Sequence, residues 1–281
     1  MIAYLHTVQC IPYKRLCEVL KECFHVALSQ GTVNNILASM QQTSDEMYKQ
    51  IRSRIIQSSV VGADETGTNV DGKLEWVWGF QTDKLTYLYH DPSRNRQAIG
   101  KHFPHGLPDS TLVTDRYTPY FSCDVKDHQI CLAHLLRELN YLSELDKNQH
   151  WSSQLKKLLQ EAIHKRKIMK WENIPRMDLC KRLDDLLTYP LYELHRDFGR
   201  LQRSLLKHRN NIFKFLSNSD IPYDNNASER TIRLVKIKHK VSGCLRSSKG
   251  ADIFTQLLSI ADTSSKNGMS KFQALALIAH Q

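Results

Sequence analysis

Residues 58–134 constrain the fold most. Five short runs there, "SVVGAD", "LEWVWGFQT", "LTYLYHD", "STLVTD" and "HQICLAH", are rich in β-branched and aromatic residues that suit a pleated surface. Asp71-Gly72 is a tight-turn pair between the first two runs, and Asp83-Lys84 turns into the third, so a three-stranded meander is predicted. "PSRNRQAIGKHF" then begins on serine and keeps helical spacing. The order becomes three strands, a helix, a strand, a short helix and a strand, which places the chain in the mixed α/β class.

The flanks read as helical. From Pro12, "PYKRLCEVLKECF" repeats apolar residues at helical spacing, and "LSQGTVNNILASM" offers Gly31 and Thr32 as a turn and a helix start. Two helices with a tight turn are a weak helix-turn-helix signal. Residues 135–216 carry long Leu-striped stretches punctuated by Pro175 and Pro190, and predict a helical insert. Helices are expected from near Ala227, over about 250–265, and after Asn267-Gly268. The predicted organisation is a helical segment over 1–50 and a mixed α/β domain over 51–281, with the insert at about 135–216 and a helical tail at about 250–281.

The net charge is +10, from 39 Lys and Arg against 29 Asp and Glu. The excess lies in the second half: residues 131–209 hold sixteen basic against ten acidic residues, and 210–281 hold ten against five. That balance suits a polyanionic partner, nucleic acid ahead of membrane. No stretch reaches the roughly 20 apolar residues of a membrane span, and the start lacks the signature of a signal peptide. A cytoplasmic protein is expected. The seven cysteines are odd in number and scattered, which favours reduced thiols.

Two acids stand at the ends of predicted strands: Asp64 closes the first, and Asp115 closes the fourth in "LVTDRYTPY". If those strands are neighbours, both carboxylates meet at one sheet edge. There they repel unless a cation or a shared proton intervenes, and oxygen-only ligands suit Mg²⁺ or Mn²⁺. Glu65 should point to the opposite side of the strand. The third acid is Glu229 in "YDNNASERTIRLVK". Asn226 through Glu229 fits a capping box, a structural device. Yet from Arg230 to Lys249 there are seven basic residues and no acid. On a continuing helix Arg233, Lys236 and Lys240 share the face of Glu229, beside an apolar row of Leu234, Ile237 and Val241. "VKIKHKV" also alternates like a strand, so an end near Leu234 stays open.

In order and spacing, "ADETGTNVDGKLEWVW", "LVTDRYTPY", "HQICLAHLLREL" and "YDNNASERTIR…SSKGADIFTQLLSIADTSSKNG" resemble the insertion-sequence sixty-six family of bacterial DDE transposases. The resemblance covers nearly the whole chain. It implies an RNase H-like mixed sheet interrupted by a helical insert, and a catalytic, metal-binding triad of Asp64, Asp115 and Glu229. The implied chemistry is cleavage and strand transfer of double-stranded DNA by two Mg²⁺ or Mn²⁺ ions about 3.5–4 Å apart. Multimers on DNA are common in such transposases. Arg230, Arg233, Lys236, Lys238, Lys240, Arg246 and Lys249 are expected on DNA phosphates.

Cys131 and His134 resemble a C-x-x-H found after the second aspartate in several transposase families. Two ligands do not make a zinc site, and no second Cys/His pair stands at finger spacing. His134 is left to contact a phosphate, position water or simply end a strand. Arg116 stands where the family usually has Gly, and Leu234 where it usually has Pro. The chain begins inside the region preceding the catalytic domain, so a copy truncated at its N-terminus is expected. An inactive DNA-binding remnant and an RNase H-like nuclease without strand transfer are the competing readings. A two-carboxylate glycosidase fits the basic charge poorly.

Overall fold

The five runs form one sheet in a computed structural model that describes residues 1–191 and 194–280. Its strands are β1 (Val60–Val70), β2 (Lys73–Gln81), β3 (Thr86–Asp91), β4 (Leu107–Thr114) and β5 (Val125–Ile130), in the order β3-β2-β1-β4-β5. The meander β1-β2-β3 is antiparallel, while β1-β4 and β4-β5 are parallel. Asp71 and Gly72 both take positive φ, 49° and 80°, as a two-residue hairpin of this twist requires. This is the RNase H-like mixed sheet that the resemblance implies.

Around it lie helices α1 (Tyr13–Phe24), α2 (Gln30–Thr43), α3 (Asp45–Ile56), α4 (Arg96–His102), α5 (Leu132–Leu145), α6 (Trp151–Ile168), α7 (Arg176–Thr188), α8 (Arg196–Lys207), α9 (Asn226–Ser242), α10 (Ser248–Lys266) and α11 (Lys271–Ala279). One apolar cluster joins Leu16, Leu20, Val33 and Leu37 of the N-terminal helices to Val61, Ala63, Trp78 and Phe80 of the sheet. On another, Val77 and Leu88 meet Ile232 and Val235 of α9 and Phe254 and Leu258 of α10. Helices α5–α8 bury Leu139, Leu155, Leu183 and Phe198 in a core of their own, which reaches the sheet through Val113 and Ile130. The predicted helical insert over 135–216 includes residues 192 and 193, which lie outside the described residues; α8 begins at Arg196. Among the described residues no helix is long and apolar enough to cross a membrane, and all seven cysteines are free.

Several sequence expectations need correction. Strand β1 does not end at Asp64: its ladder with β2 continues from Asp64↔Gly79 to Val70↔Lys73. What stops there is the parallel pairing with β4, whose last register pair is Gly62↔Val113. The fifth strand ends at Ile130, and Cys131 is the N-cap of α5, so the C-x-x-H residues open a helix. Gly31 lies inside α2, whose N-cap Ser29 accepts from the Thr32 N–H at 3.0 Å. A third N-terminal helix, α3, crosses the boundary drawn at residue 50. Finally, α9 runs through "VKIKHKV" to Ser242, because Val235 and Lys238, three apart, face inward together. In the apolar row beside Glu229 only Leu234 packs, while Ile237 and Val241 are exposed.

Candidate active site

The parallel register of β1 and β4 runs to Gly62↔Val113, so Asp64 and Asp115, each two residues further on, come side by side where that pairing stops. Asp64 is partly buried and its Oδ1 accepts from the Glu65 N–H at 3.0 Å. Its pKa is raised to about 7, first by burial and then by the charges of Glu65, Asp115 and Glu229. Asp64 therefore feels both of the other candidate acids. Asp115 follows the last residue of β4, and its Oδ1 accepts from the Tyr117 N–H at 2.9 Å. Glu229 lies in the first turns of α9, where Arg137 donates to its Oε1 at 3.1 Å and His134 Nε2 stands 3.6 Å away. An all-oxygen set of two aspartates and a glutamate, with one member driven toward neutrality, suits a hard divalent cation.

The capping box expected for Glu229 does not form. The N-cap is Asn225, not Asn226, and Glu229 is the fourth helical residue. Asn225 instead ties α9 to the sheet. Its Nδ2 donates to Ala63 O on β1 at 2.6 Å, its Oδ1 accepts from Ser228 Oγ at 2.5 Å, and its N–H donates to Cys131 Sγ at 3.2 Å. Gly62 allows this approach, since a Cβ there would stand 2.5 Å from Ser228 Oγ and 2.8 Å from Asn225 Oδ1. The glutamate-bearing helix is thus bolted one residue before Asp64. Sequence reading missed Asn225, Gly62 and Ser228 as parts of the site; the paired asparagines of "YDNNAS" were their one local signal.

Glu65 faces away from Asp64, as strand alternation predicts. It is buried and accepts from Arg94 Nε at 2.9 Å and NH2 at 2.6 Å, with the Tyr120 hydroxyl as a further donor. Arg94 itself stacks on Trp76 and Tyr117, 4.6 and 4.0 Å from the ring centroids. Glu65 is a satisfied structural acid. Arg116 turns from Asp115 to the insert, reaching Glu138 at 2.5 Å and Ser204 at 3.2 Å.

Of the seven basic residues assigned to phosphate contacts, Arg230, Arg233, Lys236, Lys240, Arg246 and Lys249 are exposed. Lys238 is not: it is 2% exposed, its Nζ donates to His6 O at 3.1 Å, and it lies over the Phe254 ring at 5.6 Å. Burial lowers its pKa to about 8. It anchors α9 to the N-terminal π-helical turn Tyr4–Val8 and cannot reach a DNA phosphate.

Comparison with known proteins places the chain in a family. A family model described as "Transposase IS66 family" matches residues 1–253. The chain belongs to the IS66 family of transposases. That match takes in Asp64, Asp115, Cys131, His134 and Glu229, and ends inside α10, ahead of the Asn267-Gly268 turn. No curated protein matches the chain. IS66 membership makes this a DNA-transposition protein, a role that implies DNA binding and divalent metal.

Proposed function

We propose that the chain is a DDE-type polynucleotidyl transferase that cuts DNA at the ends of its insertion sequence and joins the freed 3′-OH to a target. Asp64, Asp115 and Glu229 would hold two Mg²⁺ or Mn²⁺ ions. Bound there, such ions neutralise charge on the reacting phosphate and activate the attacking oxygen. The observation that carries this reading is Asp64, a partly buried acid raised to about 7 beside two further acids and without a basic partner of its own among the described contacts. The protein's own part is positioning. The β1-β4 pair sets the two aspartates, the Asn225 bolt sets the glutamate helix, and Arg233, Lys236 and Lys240 line the same helix for the DNA backbone. A homo-oligomer assembled on paired ends is part of this reading.

The test is an end-bearing duplex incubated with Mg²⁺ or Mn²⁺. Nicked and joined products are expected, and Asp64→Asn, Asp115→Asn or Glu229→Gln should each cut the rate by at least about 100-fold. Calorimetric Mn²⁺ binding should weaken in all three. Unchanged cleavage in Asp64→Asn would overturn the assignment, and cut products that never join would indicate a nuclease.

A further inference from the structure

Among the described residues one group of mixed ligand atoms comes together: Cys131 Sγ, a ring nitrogen of His134 and a carboxylate oxygen of Glu229 all lie within 4.8 Å of one another. Only two of these can be found by spacing in the sequence. The third arrives from α9, because the Asn225 bolt seats that helix against the start of α5.

We propose that Cys131, His134 and Glu229 form a second metal site, selective for a zinc-class divalent cation, in which Glu229 is taken as the third ligand. A thiolate, an imidazole and a carboxylate are the donor types that zinc, cobalt and cadmium prefer over magnesium. The surroundings suit a bound cation. His134 Nδ1 is buried and meets no protein partner among the described residues, an unmet polar atom of the kind that ligation removes. Burial pushes the Cys131 thiol up, as it does for a buried thiol with no cation beside it. Its place at the N-cap of α5 and the Asn225 N–H on its sulfur act the other way, so a bound cation is what would stabilise the thiolate. Binding releases the thiol proton to solvent and leaves Cys131 as the anionic ligand. Arg137, which now holds Glu229 Oε1, is 61% exposed in its side chain, so water can replace the carboxylate when the cation claims it.

The consequence is competition for one glutamate. A zinc-class ion in this site draws Glu229 away from Asp64 and Asp115 and switches off cleavage; that consequence rests on the triad reading above, whereas the metal site does not. The full-length chain is titrated with Cd²⁺ and with Co²⁺, following the thiolate charge-transfer absorbance and the cobalt visible bands. One equivalent bound through a thiolate is expected, with the band lost in Cys131→Ser and affinity reduced at least tenfold in His134→Asn and Glu229→Gln. Circular dichroism identifies any variant that unfolds, and His134→Asn, which leaves the Cys131–Asn225 contact in place, carries the test if Cys131→Ser does. No thiolate band in the wild type, or a band that survives in all three variants, overturns the proposal. In the cleavage assay Zn²⁺ should suppress Mn²⁺-dependent nicking in the wild type and not in His134→Asn. A thiolate band without suppression upholds the site and refutes the triad role of Glu229.

Discussion

Asp64 carries a folding penalty that shows in pH dependence. Its folded value of about 7 stands above the ordinary 3.8, so between those values the folded chain keeps a proton that the unfolded chain has released. Stability therefore falls as pH rises through that window, and the loss is complete above about pH 7. At about 1.4 kcal/mol per pKa unit the upper bound is about 4 kcal/mol. Asp64→Asn should raise the thermal midpoint near about pH 8 and leave it nearly unchanged near about pH 4, as scanning calorimetry would record. Saturating Mn²⁺ should raise the wild-type midpoint and not that of the variant. Glu65, next along the strand, is held by direct hydrogen bonds instead. Arg94→Ala leaves its buried carboxylate with the Tyr120 hydroxyl but no cation, and should cost about 2 kcal/mol in urea unfolding, discounted for an arginine that is 40% exposed. Strand period alone separated these two acids, whereas Arg94 and Tyr120 as partners of Glu65 needed the fold.

At the scale of elements, the decisive contact is α9 on β1. Gly62→Ala puts a methyl 2.5–2.8 Å from Ser228, Gln81 and Asn225, side chains already committed to holding the helix. The expected result is a loss of about 1–3 kcal/mol together with weaker Mn²⁺ binding, since the helix must shift and takes Glu229 with it. Asn225→Ala should lose about as much, because the Ala63 carbonyl is left buried without its donor. Normal Mn²⁺ affinity in both variants would show that the bolt does not set the metal ligands. The strands and most helices were legible from periodicity and turn residues. The end of β1 was not, since an acid can continue a ladder when the neighbouring strand offers backbone partners. Nor was the strand-like "VKIKHKV", where tertiary packing of Val235 and Lys238 selected the helix.

At the scale of the whole molecule, the two largest apolar clusters divide the labour. The sheet shares its core with the N-terminal helices, while the insert holds its own and touches the sheet at β4 and β5. Part of the positive charge of the second half lies on exposed faces of α9 and at the start of α10. Substituting Arg233, Lys236 or Lys240 by Ala should weaken DNA binding and lower the slope of log affinity against log salt by about one each. Lys238→Met should leave that slope unchanged and alter only stability, which filter binding at several salt concentrations distinguishes. Counting charges along the chain made Lys238 equivalent to its neighbours. Its place on the inner face of α9, against His6 from the far end of the chain, makes it a core residue.

The sequence by itself determined the alternation of strands and helices, the tight turn at Asp71-Gly72, the basic second half and the acids worth considering, because each of these is a local or additive property. Only the tertiary structure decided which side chains meet. Asp64 is raised by burial, by its neighbour Glu65 and then by acids that follow it far along the chain. Glu229 rests on Arg137 and His134 of α5, and Cys131 and His134 gain a prospective third ligand from α9. Those outcomes depend on how closely two backbones approach at Gly62, a distance set by packing and invisible to spacing along the chain.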